Sequence, residues 1–327
     1  MDAETYPAND VVERVLSGDV RTVARLIRDI DDGIPGVRDV LKAVYPYTGR
    51  AYVIGITGAP GVGKSTLADQ VINHLRKRGR TVGVLAVDPT SPFSGGAILG
   101  DRIRMQRHCT DAGVFIRSLA TRGQFGGLTQ STRSAIDVLD AMGKDFILVE
   151  TVGVGQDEVD VVKSAHTTVI VVMPGMGDDI QAIKAGILEV GDIFVINKAD
   201  HEGVDRTENH LRLMIEMADK KYEEGGWKPS IVRTQALFNK GVDTLLDEIE
   251  RHGRHLKQSE GGLNTRKRES RVREELSEMV KNRLIEKVGQ RLIQTGDFDR
   301  LVTEIVNGKT DPYSACDDLV FPIVKKL

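Results

Sequence analysis

Gly58-Ala-Pro-Gly-Val-Gly-Lys-Ser-Thr66 stands between a short β-branched run, Tyr52-Val-Ile-Gly-Ile-Thr57, and a segment of helical spacing that carries Leu67, Val71, Ile72 and Leu75 on one side. A buried strand, a glycine-rich turn and a helix start form the context in which this pattern is a phosphate-binding loop. The glycines let successive backbone N–H groups turn inward toward phosphate oxygens, and the positive end of the helix adds to that field. In this arrangement Lys64 reaches the β- and γ-phosphates and the Ser65 hydroxyl faces a magnesium ion.

Working outward, Tyr52 to about His252 alternates apolar runs with helical segments. Strands are expected at 52–57, 81–87, 114–118, 146–150, 168–173, 193–197 and 231–234, with helices between them, for instance at 129–142 and 177–189. Most of these runs are continuously apolar, as in a parallel sheet covered on both faces. The fold class is therefore α/β, a doubly wound and mostly parallel sheet with ligands at the carboxyl ends of its strands. Ahead of it, residues 1–50 read as a helical preface. Asn9 or Asp10 would cap a first helix stopped by Gly18, a second carries Val20, Val23, Leu26, Ile27 and Ile30, and a third carries Val37, Val40, Leu41 and Val44. The nucleotide-binding domain is expected over 51–256.

Residues 257–270 are polar and charged, a linker by composition, and 257–327 form a C-terminal helical arm. A long helix is expected from about Arg266 to Gln294, with a returning pair over 298–306 and 313–324. Its apolar residues recur in steps of four, which drift about 40° per step, so the apolar surface winds round the helix and needs cover on more than one side. A partner subunit and an intrachain hairpin satisfy that need equally well.

The base is read elsewhere. Asn197-Lys198-Ala199-Asp200 follows the run Ile193–Ile196, at a strand's carboxyl end. A carboxylate at Asp200 accepts from both N1–H and the exocyclic amine of guanine; adenine offers neither donor, and would leave the carboxylate unpaired. Thr234-Gln235-Ala236, after the last strand, falls where a second base-contacting loop belongs. Asp88 and Glu150 stand at strand ends and Asp101 in a loop; with Ser65 they make an oxygen set suited to Mg²⁺. Glu150-Thr-Val-Gly153 has the form of a γ-phosphate-sensing switch, but Val154 occupies the place of the water-orienting glutamine of efficient GTPases. A valine cannot polarise water, so intrinsic hydrolysis is expected to be slow, with Gln156 or a partner's group needed.

Whole-chain properties narrow the alternatives. A formal charge of −3 over 327 residues excludes the basic footprint of a general nucleic-acid binder. Cys109 and Cys316 have no metal-ligand spacing. No apolar stretch reaches the roughly 18 residues of a membrane span, and the acidic N-terminus has no targeting character; the expectation is a cytoplasmic protein. The seven histidines carry no recognisable motif, His108 beside Cys109 included, and receive no role.

Together the loop 58–66, Val87-Asp-Pro-Thr-Ser-Pro, Ser94-Gly-Gly-Ala-Ile-Leu-Gly-Asp-Arg-Ile-Arg-Met105, Glu150-Thr-Val-Gly-Val-Gly-Gln156 and Asn197-Lys-Ala-Asp200 resemble the MeaB/ArgK family, GTPases associated with methylmalonyl-CoA mutase and related to the metallochaperone GTPases. The resemblance covers nearly the whole chain. It implies a homodimer joined through the C-terminal arm, with GTP/GDP and Mg²⁺ as ligands. It also implies a GTP-dependent chaperone that gates adenosylcobalamin loading onto, and protects, a cobalamin-dependent acyl-CoA mutase. By motif, Ala59, Pro60, Gly61, Val62, Gly63, Lys64, Ser65 and Thr66 would hold the phosphates. Asn197, Lys198, Asp200, Thr234, Gln235 and Ala236 would hold the base. Ser65, Asp88, Asp101 and Glu150 would surround the metal, and Lys64, Glu150 and Asp101 would carry catalysis. Asp101 rests on the resemblance more than on pattern. The stretch Pro174–Lys184 matches a further nucleotide-sensing loop of the family. Competing readings are a phosphotransferase, as the family's older transport-kinase name suggests, and a nickel-loading GTPase, whose Cys/His-rich segments this chain lacks. A mutase of the isobutyryl or hydroxyisobutyryl type is an alternative partner.

Overall fold

A computed structural model of the chain describes residues 8–34, 36–88, 106–108, 110–120, 127–151, 164–175, 190–217, 226–258, 269, 272–273, 276–285, 288–289 and 296–324. They fall into two compact units, Met1–Thr265 and Arg266–Leu327, and the division lies inside the polar stretch 257–270.

The first unit is built on seven parallel strands: β1 (Tyr52–Gly58), β2 (Val82–Asp88), β3 (Val114–Ala120), β4 (Phe146–Thr151), β5 (Thr167–Val172), β6 (Ile193–Ile196) and β7 (Ser230–Arg233). Their order is β3-β2-β4-β1-β5-β6-β7, and every pairing is parallel. From β1 the chain steps to one side, and after β4 it crosses to the other, which puts the switch point of the sheet beside β1. Crevices that bind ligands open at the carboxyl edge of such a point.

Side chains alternate between two cores, as the two-residue period of a strand requires. Ile54, Ile56, Val82, Val84 and Leu148 join a core under α4 (Lys64–Lys77), α6 (Val204–Met217) and α7 (Val242–Gln258). Val53, Leu85, Val87, Ile147 and Val149 join the opposite core, under α5 (Gly127–Ala141) and the three N-terminal helices α1 (Ala8–Leu16), α2 (Val20–Asp31) and α3 (Val37–Val44). The preface thus supplies part of one layer of the sandwich: Val15, Val23, Ile27, Val40 and Val44 have no solvent exposure. Asn9 and Asp10 lie within α1, ahead of neither its start nor its first turn, and Asp10 pairs with Arg14 on the next turn. An acid suits the first turn of a helix as well as its cap, because both sit in the same positive field. Asp19 caps α2 by accepting from the Thr22 N–H at 2.8 Å.

Asp140, on α5 and buried, joins the preface to the sheet. Its carboxylate accepts from the backbone N–H groups of Gly49 at 2.6 Å, Arg50 at 3.2 Å and Ala51 at 3.0 Å. These three amides are the last before β1, so one charge sets how the strand enters. At the same amino edge of the sheet, Tyr52 meets Thr167 Oγ1 at 2.5 Å, which in turn meets Nδ1 of the buried His252 at 2.8 Å. Burial pushes the Tyr52 hydroxyl up to about 12.

In the second unit the described part of 276–285 is helical, and α8 (Asp297–Val306) packs with α9 (Pro312–Val324). Leu301 and Ala315 are buried, whereas Leu276, Ile285, Phe298, Val306 and Tyr313 are exposed. The expected helix at 177–189 lies outside the described residues.

Asp140→Ala is expected to lower the unfolding free energy by about 1–3 kcal/mol, because the buried Ala51 amide and the more exposed amides of Gly49 and Arg50 lose a charged acceptor. Urea denaturation checks this, and Asp140→Asn, which keeps one acceptor oxygen, should recover part of the loss.

Candidate functional site

The carboxyl edge around β1 collects the residues that the sequence singles out. The turn after β1 opens α4 at Lys64, with Gly63 as its left-handed cap at φ 95°. Two glycines are demanded by contact as well as conformation. A Cβ on Gly58 would stand 2.2 Å from the Val171 carbonyl oxygen of β5, and one on Gly63 would stand 2.4 Å from Asn197 Nδ2. The loop is thus pressed between the neighbouring strand and the Asn197 side chain.

Lys64 is buried, and its ammonium donates to the Gly58 carbonyl at 2.5 Å and the Ala59 carbonyl at 3.1 Å. It lies curled along the glycine-rich loop. Ser65, in the first turn of α4, donates its hydroxyl proton to Glu150 Oε1 at 2.6 Å, and both residues are buried. The register accounts for the meeting: Glu150 is opposite Ile56 of β1 and Ala86 of β2, so β4 delivers its carboxylate beside the start of the loop. Asp88 ends β2, two residues beyond Ala86, at the same edge. Asp101, Val154, Gln156 and 176–184 lie outside the described residues. A hydroxyl and a carboxylate in hydrogen-bond contact at a phosphate loop are hard oxygen donors, and they suit Mg²⁺.

Asn197 organises the base side. Its backbone N–H extends the β5–β6 ladder to the Val172 carbonyl at 2.8 Å. Its Nδ2 donates to the Val62 carbonyl of the phosphate loop at 2.8 Å, while Oδ1 accepts from Thr234 Oγ1 at 3.1 Å and the Ala236 N–H at 3.0 Å. One buried amide side chain therefore joins phosphate loop, strand end and the loop after β7. Lys198 adopts a left-handed φ of 55° and points its ammonium at Met173 Sδ, 3.6 Å away. The Ala199 N–H binds the Thr234 carbonyl at 3.0 Å, which holds the two base-side loops edge to edge.

Between these loops lies a cleft of about 250 Å³ lined by Gly63, Thr66, Asn197, Lys198, Asp200, His201, Gln235, Ala236, Leu237 and Phe238. Asp200 lines it and is exposed. The structure brings the phosphate loop, Glu150, Asn197-Lys-Ala-Asp200 and Gln235-Ala236 into one continuous site. It adds His201, with Nε2 3.9 Å from Asp200 Oδ2, and the exposed pair Leu237-Phe238. Sequence reading passed over these; an apolar pair set in the polar run Gln235…Asn239-Lys-Gly was the available signal for the second. His108 approaches Asp69 of α4, at 3.0 Å from its carboxylate, and is buried there.

The family model described as methylmalonyl Co-A mutase-associated GTPase MeaB matches residues 23–292. A putative GTPase of Pyrococcus abyssi is 50% identical over 316 residues, 97% of each chain. The mouse protein named methylmalonic aciduria type A homolog, mitochondrial, is 31% identical over 270 residues, 82% of this chain and 64% of that one. A crystal structure described as LAO/AO transport system kinase superposes with a TM-score of 0.67 at 25% identity, covering 99% of both chains.

Asn197→Ala is expected to weaken guanine-nucleotide binding by about 10-fold or more and to lower stability by about 2–3 kcal/mol, because the partners of both ends of the amide are left buried and unpaired. Isothermal calorimetry and urea denaturation measure the two effects. Gly63→Ala should be at least as damaging to binding, since the methyl group displaces the same amide.

Proposed function

Because the chain belongs to the methylmalonyl-CoA mutase-associated GTPase family MeaB, we propose that it is a magnesium-dependent GTPase switch that serves a cobalamin-dependent acyl-CoA mutase, gating the loading of adenosylcobalamin and protecting or reactivating the mutase. One observation carries the chemical part. Asn197 joins the phosphate loop to the loop after β7 through three hydrogen bonds, so a triphosphate grip and a guanine-reading carboxylate share one frame.

The roles follow from the placement. Amides of Ala59–Thr66 receive the phosphates, and Lys64 exchanges the Gly58 and Ala59 carbonyls for phosphate oxygens when nucleotide enters. Asp200 accepts from guanine N1–H and the 2-amine. Ser65 and Glu150, with Asp88 and Asp101, would hold the metal, which when bound offsets charge on the β- and γ-phosphates. Lys64, Glu150 and Asp101 are the catalytic set of this reading. The chain's own residues place the substrate and exclude ATP. With Val154 in the water-orienting position, hydrolysis is slow until a partner orders the water.

The partner assignment is supported by the description of the family and by the name of the mouse relative. Methylmalonyl-CoA mutase is the favoured partner, with an isobutyryl or hydroxyisobutyryl mutase as the alternative. A homodimer through the C-terminal unit is supported by the apolar side chains which that unit leaves exposed, among them Leu276, Ile285 and Phe298. Among the described residues no helix is long and apolar enough to cross a membrane, and the reading assigns the protein to the cytoplasm.

Incubation with γ-labelled GTP should release inorganic phosphate and label no small-molecule acceptor; transfer to an acceptor would favour the transport-kinase reading instead. Lys64→Ala is expected to cut turnover by about 100-fold or more and to abolish any GTP-dependent change in cofactor loading of the co-purifying mutase, while size-exclusion chromatography still reports a dimer. Asp200→Asn should weaken GTP by at least about 100-fold and improve XTP. The amide presents a donor where xanthine carries a carbonyl, and competition calorimetry with the two nucleotides reads the exchange.

A further inference from the structure

Consecutive residues of β4 hold both flanks of the phosphate loop. Glu150 accepts from Ser65, the residue just after Lys64, at 2.6 Å. Thr151 Oγ1 donates to Oγ1 of Thr57, the residue just before Gly58, at 2.9 Å. The register makes this possible: Ile56 pairs with Glu150, and the next step along both strands brings Thr57 and Thr151 abreast. Successive side chains of a strand point to opposite faces. The first bond therefore lies on the side of α4, and the second on the face that Val53 and Val149 share with α5. Both threonines are without solvent exposure. Valine has the shape of threonine and carries no polar atom to satisfy in the interior, so a buried hydroxyl pair in a sheet otherwise rich in Val and Ile calls for a reason.

The two bonds differ in kind. Ser65 and Glu150 are hard oxygen donors of the metal site, so the bond between them gives way when they turn to a cation. Thr57 and Thr151 stand outside that donor set, and the bond between them persists through the exchange. We propose that Thr151 is a positioning residue. Its bond to Thr57 fixes the end of β4 to the start of the phosphate loop, and so holds the Glu150 carboxylate in place when Ser65 no longer does. Outer groups that orient a metal ligand act in this way. The inference rests on the magnesium-dependent GTPase reading above, and adds to it a residue on the far face of the sheet from the Ser65–Glu150 contact.

Calorimetry with guanylyl imidodiphosphate, in EDTA and at increasing Mg²⁺, tests this on the full chain, with GTP turnover measured in parallel. Thr151→Val is expected to raise by about 10-fold the Mg²⁺ concentration that gives half of the metal-dependent gain in affinity, and to lower kcat by about 10-fold. Its affinity in EDTA should stay within about two-fold of the parent, because the phosphate loop is intact. Thr57→Val should behave in the same way, and the double variant should be no worse than either single one, since the same bond is lost each time. Thr151→Ser, which keeps the hydroxyl, should match the parent. Parent-like Mg²⁺ dependence in Thr151→Val overturns the proposal. So do single losses that add in the double variant, or an equal loss of affinity in EDTA, which would mark damage to the loop itself. A parent chain whose nucleotide affinity ignores Mg²⁺ would instead strike the metal reading, so the two failures are told apart.

Discussion

The side chain of Asn197 bonds at once to the phosphate loop, through the Val62 carbonyl, and to the loop after β7, through Thr234 and Ala236. A primary amide has donor and acceptor ends that face opposite ways, so it can tie a carbonyl on one side to an N–H and a hydroxyl on the other. Because Asn197 is buried, these bonds escape competition with water, and a break would strand polar atoms in the interior. The close approach of Gly63 follows from the same contact: a phosphate loop with any side chain there would push the amide away.

This bridge works only because the sheet beneath it is parallel and covered on both faces. The carboxyl ends of β1, β4, β5, β6 and β7 lie along one edge, so residues remote in sequence converge there without any strand reversing. The N-terminal helices belong to this architecture. They share a core with α5 and with one face of β1, β2, β3 and β4, and Asp140 fixes the passage from α3 into β1 with a single carboxylate. The N-terminal helices thus pack on the face of β1 opposite α4, and β1 runs from the amides that Asp140 gathers to the glycine-rich loop.

Much of this was legible in the chain. All seven strands were expected within about two residues of where they lie, because a strand buried on both faces is written as an uninterrupted β-branched run. Ser65 and Glu150 are grouped by sequence as oxygen donors of one metal site, and their side chains touch in the molecule. The start of α1 was misplaced, since Asp10 serves a first turn as readily as a cap. Leu237 and His201 line the cleft beside Asp200, a placement that has no signature in composition.

The sequence by itself determined the local pattern: where the glycine-rich loop turns into a helix, which carboxylates stand at strand ends, and which runs become strands. These depend on residue types a few positions apart, where backbone geometry is nearly set by the covalent chain. The tertiary structure alone decided the couplings: that Asn197 meets Val62, that Asp140 gathers the amides of 49–51, and that Gly63, Asp200 and Gln235 line one cleft. Such contacts join residues separated by long stretches of chain, and their geometry is set by strand order and register, which no short pattern encodes.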